Sequence, residues 1–149
     1  MKGMQGVFTG FDIAASGMRT EMQRAEVVAA NVANMHVTKG PDGLPYRRRT
    51  VVVEETAPSG FAAVLGSVGA APGGTRVVRV ATDTSTPFVP RFDPGHPHAD
   101  ANGFVLMSNV DIFKEMVDMA VIQRSFEANI ASMQAYRGML QTALQNIRV

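Results

Sequence analysis

The chain has 149 residues, 46% of them hydrophobic, with a formal net charge of +1 and neither cysteine nor tryptophan. That length fits one domain, or a small domain with helical extensions. So even a charge balance argues against a nucleic-acid or membrane-surface binder, and without cysteine there is no disulfide framework and no thiolate metal site.

The opening Met-Lys-Gly-Met-Gln-Gly-Val-Phe holds no uninterrupted apolar core of signal-peptide length. Apolar runs elsewhere are far shorter than a membrane span. The expectation is a protein that stays in the cytoplasm or leaves by a route needing no cleaved signal. From about Phe8 to Met35 the pattern is helical. Phe11, Met18, Ala25 and Val32 recur at every seventh position, and Ala14, Val28 and Met35 follow three of them by three residues. Glu21 breaks that second row, with Met22 beside it as a substitute. Gly40-Pro41-Asp42-Gly43 then forces a turn.

The middle of the chain has β character. Tyr46 to Glu55 is rich in β-branched residues, and Thr75 to Asp83 places Val78 and Val80 among Arg76, Arg79 and Thr82. Phe88 to Phe92 and Phe104 to Met107 are shorter strands, the former confined by Pro87, Pro90 and Pro94 to an edge or an irregular run. Between the first two strands, residues 57–74 are mostly Ala, Gly, Ser, Pro and Val, the composition of a flexible loop or hairpin tip.

Ser108 or Asn109 is expected to cap a long C-terminal helix, with Asp111 in the acidic position of a capping box. Along it Ile112, Met119, Phe126, Met133, Leu140 and Ile147 recur at seven. Met116, Ile130 and Leu144, together with Ile122, Tyr136 and Ala143, widen this seam into a broad apolar face. The N-terminal helix, through Phe11, Met18, Ala25 and Val32, is its expected partner. Nearly opposite runs a second stripe of Val117, Val121, Ala128, Ala131, Ala135 and Gly138, interrupted by Arg124. A helix that is apolar on two sides is built to be covered on two sides, and a two-helix hairpin covers one. Neighbouring subunits are expected on the other.

Residues with the chemistry of a site are few. Asp93, His96, His98 and Asp100 are metal-ligand types, but they share one short loop with Pro94, Gly95 and Pro97, where a solvated turn is the commoner outcome. Arg47-Arg48-Arg49 reads as a solvated strand start rather than a nucleic-acid contact. The glycines at 66, 69, 73 and 74 lack the lysine of a phosphate loop, and no nucleophile elbow or triad signature is present. Asn31 and Asn129 lie near the helix seams, where a buried asparagine fixes register and a solvent-facing one does nothing.

Several segments together resemble one family. Ala29-Ala-Asn-Val-Ala-Asn34 is similar to the A-x-N-x-A-N segment of flagellar rod and hook proteins. In order come Gly43-x-Pro-Tyr-Arg47, Phe92-Asp-Pro-x-His-Pro-x-Ala-Asp100, Asn102-Gly-Phe-Val105, Asn109-Val110, Glu115-Met-Val-x-Met119 and Arg124-x-Phe-Glu-Ala-Asn129. Ser108 stands where this family commonly has proline, and Phe92 and Phe126 where tyrosine is common. The resemblance, strongest to the proximal rod members, implies a non-enzymatic axial subunit of the bacterial flagellum, without cofactor or metal. It implies export through the flagellar type III apparatus without signal cleavage, and residence in the basal-body rod. It also implies self-association and contact with other proximal and distal rod proteins and with export-gate, adaptor and MS-ring components, but no nucleic-acid partner and no membrane insertion. Torque transmission and the lining of an export channel follow.

The expected fold is α+β. Residues 1–36 and 108–149 pair as an antiparallel coiled coil forming an inner layer, and 37–107 form a small β-rich outer domain. The rival reading is a secreted coiled-coil adaptor, or a metal-binding module on the His96/His98 loop.

Overall fold

The computed structural model describes residues 2–56 and 73–147. Helix α1 covers Lys2–Asn34, strands β1 to β4 cover Arg49–Glu55, Thr75–Thr82, Val89–Phe92 and Phe104–Met107, and helix α2 covers Ile112–Ile147. This is the expected α+β fold, two long helices with a small strand region between them in the chain. The strands form two two-stranded sheets, β1 with β2 and β3 with β4. The first is antiparallel, since Thr56 N–H donates to Gly74 C=O at one end and Asp83 N–H to Arg48 C=O at the other. In the second, Phe92 faces Phe104 and Val89 faces Met107. Of the expected loop 57–74, residues 57–72 lie outside the described residues.

Helix α2 has 36 residues, a length of about 54 Å. Its cap is Asp111 and not Ser108 or Asn109. The Asp111 carboxylate accepts the Phe113 N–H at 2.9 Å, and its carbonyl accepts the first helical bond, from Glu115 N–H. Ser108 and Asn109 are drawn into the protein interior instead, 3% and 7% exposed.

The chain divides into two compact units, one of Met1–Gln23, Val53–Val78 and Ile122–Val149, the other of Arg24–Val52 and Arg79–Val121. Each takes part of both helices and part of the strand region, a line of division different from that between terminal helices and middle.

In the first unit the helices run antiparallel. Gly10 of α1 lies under the Tyr136 ring and Gly17 under the Asn129 amide, and a Cβ at either position would collide. Bare backbone in α1 lets the large side chains of α2 settle close. With Ala14 buried, the seam on α1 runs through Gly10, Ala14 and Gly17. The expected row is therefore displaced by one residue. Phe11 and Met18 flank the seam half-buried, and Phe11 meets the Tyr136 ring at 6.1 Å between centroids. On α2, Ile122 is buried, and Phe126, Asn129, Met133, Tyr136 and Leu140 are half-buried. Their alternating spacing of four and three is that of a narrow coiled-coil strip. The broad face is narrower than expected: Leu144 is 62% exposed and Ala143 is exposed as well. A single partner helix covers a seam, not half a cylinder. The Ile147 side chain lies outside the described ones.

Helix α1 receives β2 on a different face. Ser16 Oγ accepts the Thr75 N–H at 3.0 Å while donating to Ile13 C=O, and Thr20 Oγ1 lies 3.2 Å from Thr75 Oγ1. Gly74 passes against Ser16, where a side chain has no room.

Candidate functional site

The second unit is organised around Asn31, near the end of α1 and fully buried. Its carboxamide oxygen accepts from Arg49 N–H at 2.9 Å and from the Tyr46 hydroxyl at 3.0 Å. Its nitrogen donates to Arg49 C=O at 2.9 Å and to Glu115 Oε2 at 3.0 Å. All four bonding positions of the amide are filled. Toward Arg49 the side chain behaves as a neighbouring strand residue, taking one N–H and one C=O at the edge of β1.

Glu115 is also fully buried, on the first turn of α2. It accepts from Arg48 Nε at 2.5 Å, and the far nitrogen of Arg48 reaches Asp118 at 2.7 Å. The Arg48 side chain is only 12% exposed. A third bond goes to Thr50 Oγ1. Asn109 accepts from Arg48 N–H at 2.7 Å and donates to the carbonyls of Asp83 and Thr86. Arg47 donates to the same two carbonyls and stacks 4.1 Å over the Phe88 ring, while Arg49 lies over the Tyr46 ring. Arg47 and Arg48 are therefore not the expected solvated strand start, while Arg49 is exposed. Each member has a fixed partner, and the acids that hold Arg48 lie 67 and 70 residues along the chain.

Burial raises the Tyr46 pKa, with the nearby Arg49 charge opposing and Glu115 reinforcing. Asp83 is held below the ordinary carboxylate range, chiefly by side-chain hydrogen bonds from Ser85 and Thr86. No buried side-chain nitrogen or oxygen among the described residues lacks a partner. The junction is thus a saturated polar lock of α1, β1 and the start of α2, with every group committed to the protein itself.

The loop of Asp93, His96, His98 and Asp100 is likewise turned on itself. His96 Nδ1 accepts the His98 N–H, His98 Nδ1 lies 2.9 Å from Thr38 Oγ1, and Asp100 accepts N–H bonds from Asn102 and Phe104. Among the described residues, no three metal-ligand side chains are gathered.

The second stripe of α2 faces outward. In one unit Val117 and Val121 are 63% and 47% exposed, and Met116, expected in the buried face, is exposed beside them. In the other unit Ala128, Ala131, Ala135 and Gly138 are exposed, and nothing lies within 4 Å of a Cβ built on Gly138. The seam residues Ala25, Val32, Ile112 and Met119 are half-buried. Buried hydrophobic residues among those described are only Ala14, Val28, Val105 and Ile122, a sparse core for a chain of this length.

Comparison with known proteins points the same way at both ends. A family model described as flagella basal body rod protein matches residues 11–41, and one described as flagellar basal body rod FlgEFG protein C-terminal matches 101–146. The chain is similar to the flagellar basal-body rod protein FlgC of Escherichia coli O6:H1, 38% identical over 90% of this chain and 92% of that one. FlgC of Salmonella typhimurium matches equally, at 38% over the same shares. FlgC of Bacillus subtilis is 37% identical over 93% of this chain and 96% of its own.

Proposed function

We infer that this chain, which belongs to the FlgC family of flagellar basal-body rod proteins and is a structural rod subunit, serves in the proximal rod as a mechanical part. It assembles helically with its own kind and with other rod proteins, transmits torque, and lines the channel through which later subunits are exported. The terminal helices, 1–36 and 108–149, form the inner layer, and 37–107 the outer. At the rod base its neighbours are export-gate, adaptor and MS-ring components. It arrives by flagellar type III export without cleavage of a signal, and its function calls for no catalytic residue and no cofactor.

The observation that carries this reading is the exposed stripe of α2. Val117, Val121, Ala128, Ala131, Ala135 and Gly138 lie opposite the seam that the chain itself covers. Small residues let another helix approach closely, and a helix with two apolar sides is satisfied only when both are covered. The test is Ala131→Glu. Because Ala131 is exposed in the single chain, the variant should keep its circular dichroism and a stability within about 0.5 kcal/mol of the parent, yet fail to build a rod. Normal motility from that variant would overturn the assignment of the stripe.

A further inference from the structure

The β3–β4 hairpin carries an apolar face that this chain leaves open. Val105 is 2% exposed and sits opposite Arg91. Side chains alternate along a strand, so Phe92, Phe104 and Leu106 share the other face, and they are 64%, 43% and 49% exposed. The two phenyl rings meet edge to face at 5.3 Å. Phe104 and Leu106 also line a cleft of about 390 Å³ with Leu44, Pro45 and Pro97, and Lys39 and Asp100 are among its polar lining residues.

The same unit displays a matching projection. Phe113, on the first turn of α2, is 76% exposed, more than any other large hydrophobic side chain among those described. It stands between exposed Asp111 and Lys114. An aromatic plug flanked by one acid and one base thus meets a cleft whose apolar wall is accompanied by one base and one acid. Charges around such a contact set orientation more than strength. A cleft and a plug at different places on one chain make a heterologous contact, which propagates head to tail into a ring or a helix rather than closing as a symmetric dimer.

We propose that the Leu44/Phe104/Leu106 cleft receives Phe113 of a second copy of this chain. The contact rests on the reading as a self-associating rod subunit, and it adds a junction separate from the α2 stripe.

The chain contains no cysteine, so single introduced thiols report it directly. Full-length Lys114→Cys and Lys39→Cys chains, which keep Phe113 and the Leu44/Phe104/Leu106 cleft intact, are oxidised each alone and as a mixture. The expected result is a covalent dimer in the mixture at least about tenfold above either chain alone, the level at which a contact worth 1.4 kcal/mol registers. Adding Leu44→Glu to the Lys39→Cys chain should return the yield to the unmixed level. Lys114→Cys with His98→Cys, the latter also at the cleft, is the second pair and should behave as the first, and circular dichroism checks that each chain is folded. Equal yields in mixed and unmixed samples for both pairs overturn the proposal. Incorporation of the parent chain into isolated basal bodies is followed in parallel. Incorporation without the specific cross-link removes only this contact, whereas a parent chain absent from basal bodies removes the rod reading beneath it.

Discussion

The two compact units hold the same pair of helices by opposite means. In the first, Gly10 and Gly17 offer bare backbone to Tyr136 and Asn129, and adhesion comes from close packing of unlike shapes. In the second, Asn31, Arg48 and Glu115 join helix to strand to helix through directional bonds between buried or largely buried groups. Packing of the first kind loses energy contact by contact, since a gap of about 0.5–1 Å forfeits a quarter to a half of each dispersion contact. A saturated polar lock fails in whole bonds, because each misplaced group is left without a partner. The first junction is thus specified by shape and the second by the direction of its bonds.

The contrast is broken most severely at Glu115. Glu115→Ala removes the buried counter-charge of Arg48 and an acceptor of Asn31; loss of one member of a buried pair costs about 3–5 kcal/mol, of which the part-exposed Asp118 offsets some. The denaturant midpoint should fall accordingly. Replacing both members, as Glu115→Leu with Arg48→Met, should recover much of that loss, because a buried ion pair is weak evidence for stability in itself. If the double variant is as unstable as the single one, the lock contributes more than mutual neutralisation, through Asn31, Asp118 and Thr50.

Asn31→Ala comes next. It strips partners from both backbone groups of Arg49; a fully buried group left unsatisfied costs roughly 1–3 kcal/mol, and these part-buried ones cost toward the lower end. Hydrogen exchange should quicken first at the Arg49 end of β1. Uniform quickening across all four strands would argue that Asn31 does not act locally. Gly17→Ala should be milder. Crowding against Asn129 costs roughly 1–3 kcal/mol, against a helix-propensity gain of about 1 kcal/mol over glycine. A variant more stable than the parent would mean that the amide moves aside and the close approach is not required.

The sequence revealed these two devices unequally. The two long helices and the four strands are legible in the sequence because periodicity reports them directly, although α1 begins at Lys2, about six residues before the pattern does. The seam of α1 was displaced by one residue because a search for large apolar side chains passes over Gly10 and Gly17, whose role is to be absent. Asn31 was open between two outcomes, since nothing local distinguishes a buried amide from a solvated one. Glu115 stands on the buried side of α2 three residues after Ile112, yet it reads as a polar interruption until Arg48 is found beside it. The outward stripe was legible as a pattern, while its occupant belongs to other molecules.

The smallest effect is electrostatic and lies at the rim of the polar lock. Asp83 accepts N–H and O–H bonds from Ser85 and both bonds from Thr86, and its own carbonyl accepts from Arg47 and Asn109. Those bonds favour the ionised carboxylate and lower its pKa in the folded chain. The stability they contribute is therefore present above the unfolded value of about 4 and lost as pH falls below it. The site is exposed, so solvent screening keeps the contribution modest. Urea midpoints measured at neutral pH and in acid should fall more steeply for the parent than for Asp83→Asn. The other carboxylates titrate in both chains, so the difference in slope isolates this one. Parallel slopes would show that the turn after β2 holds without the charge, and that the carbonyl bonds to Arg47 and Asn109 suffice to anchor it.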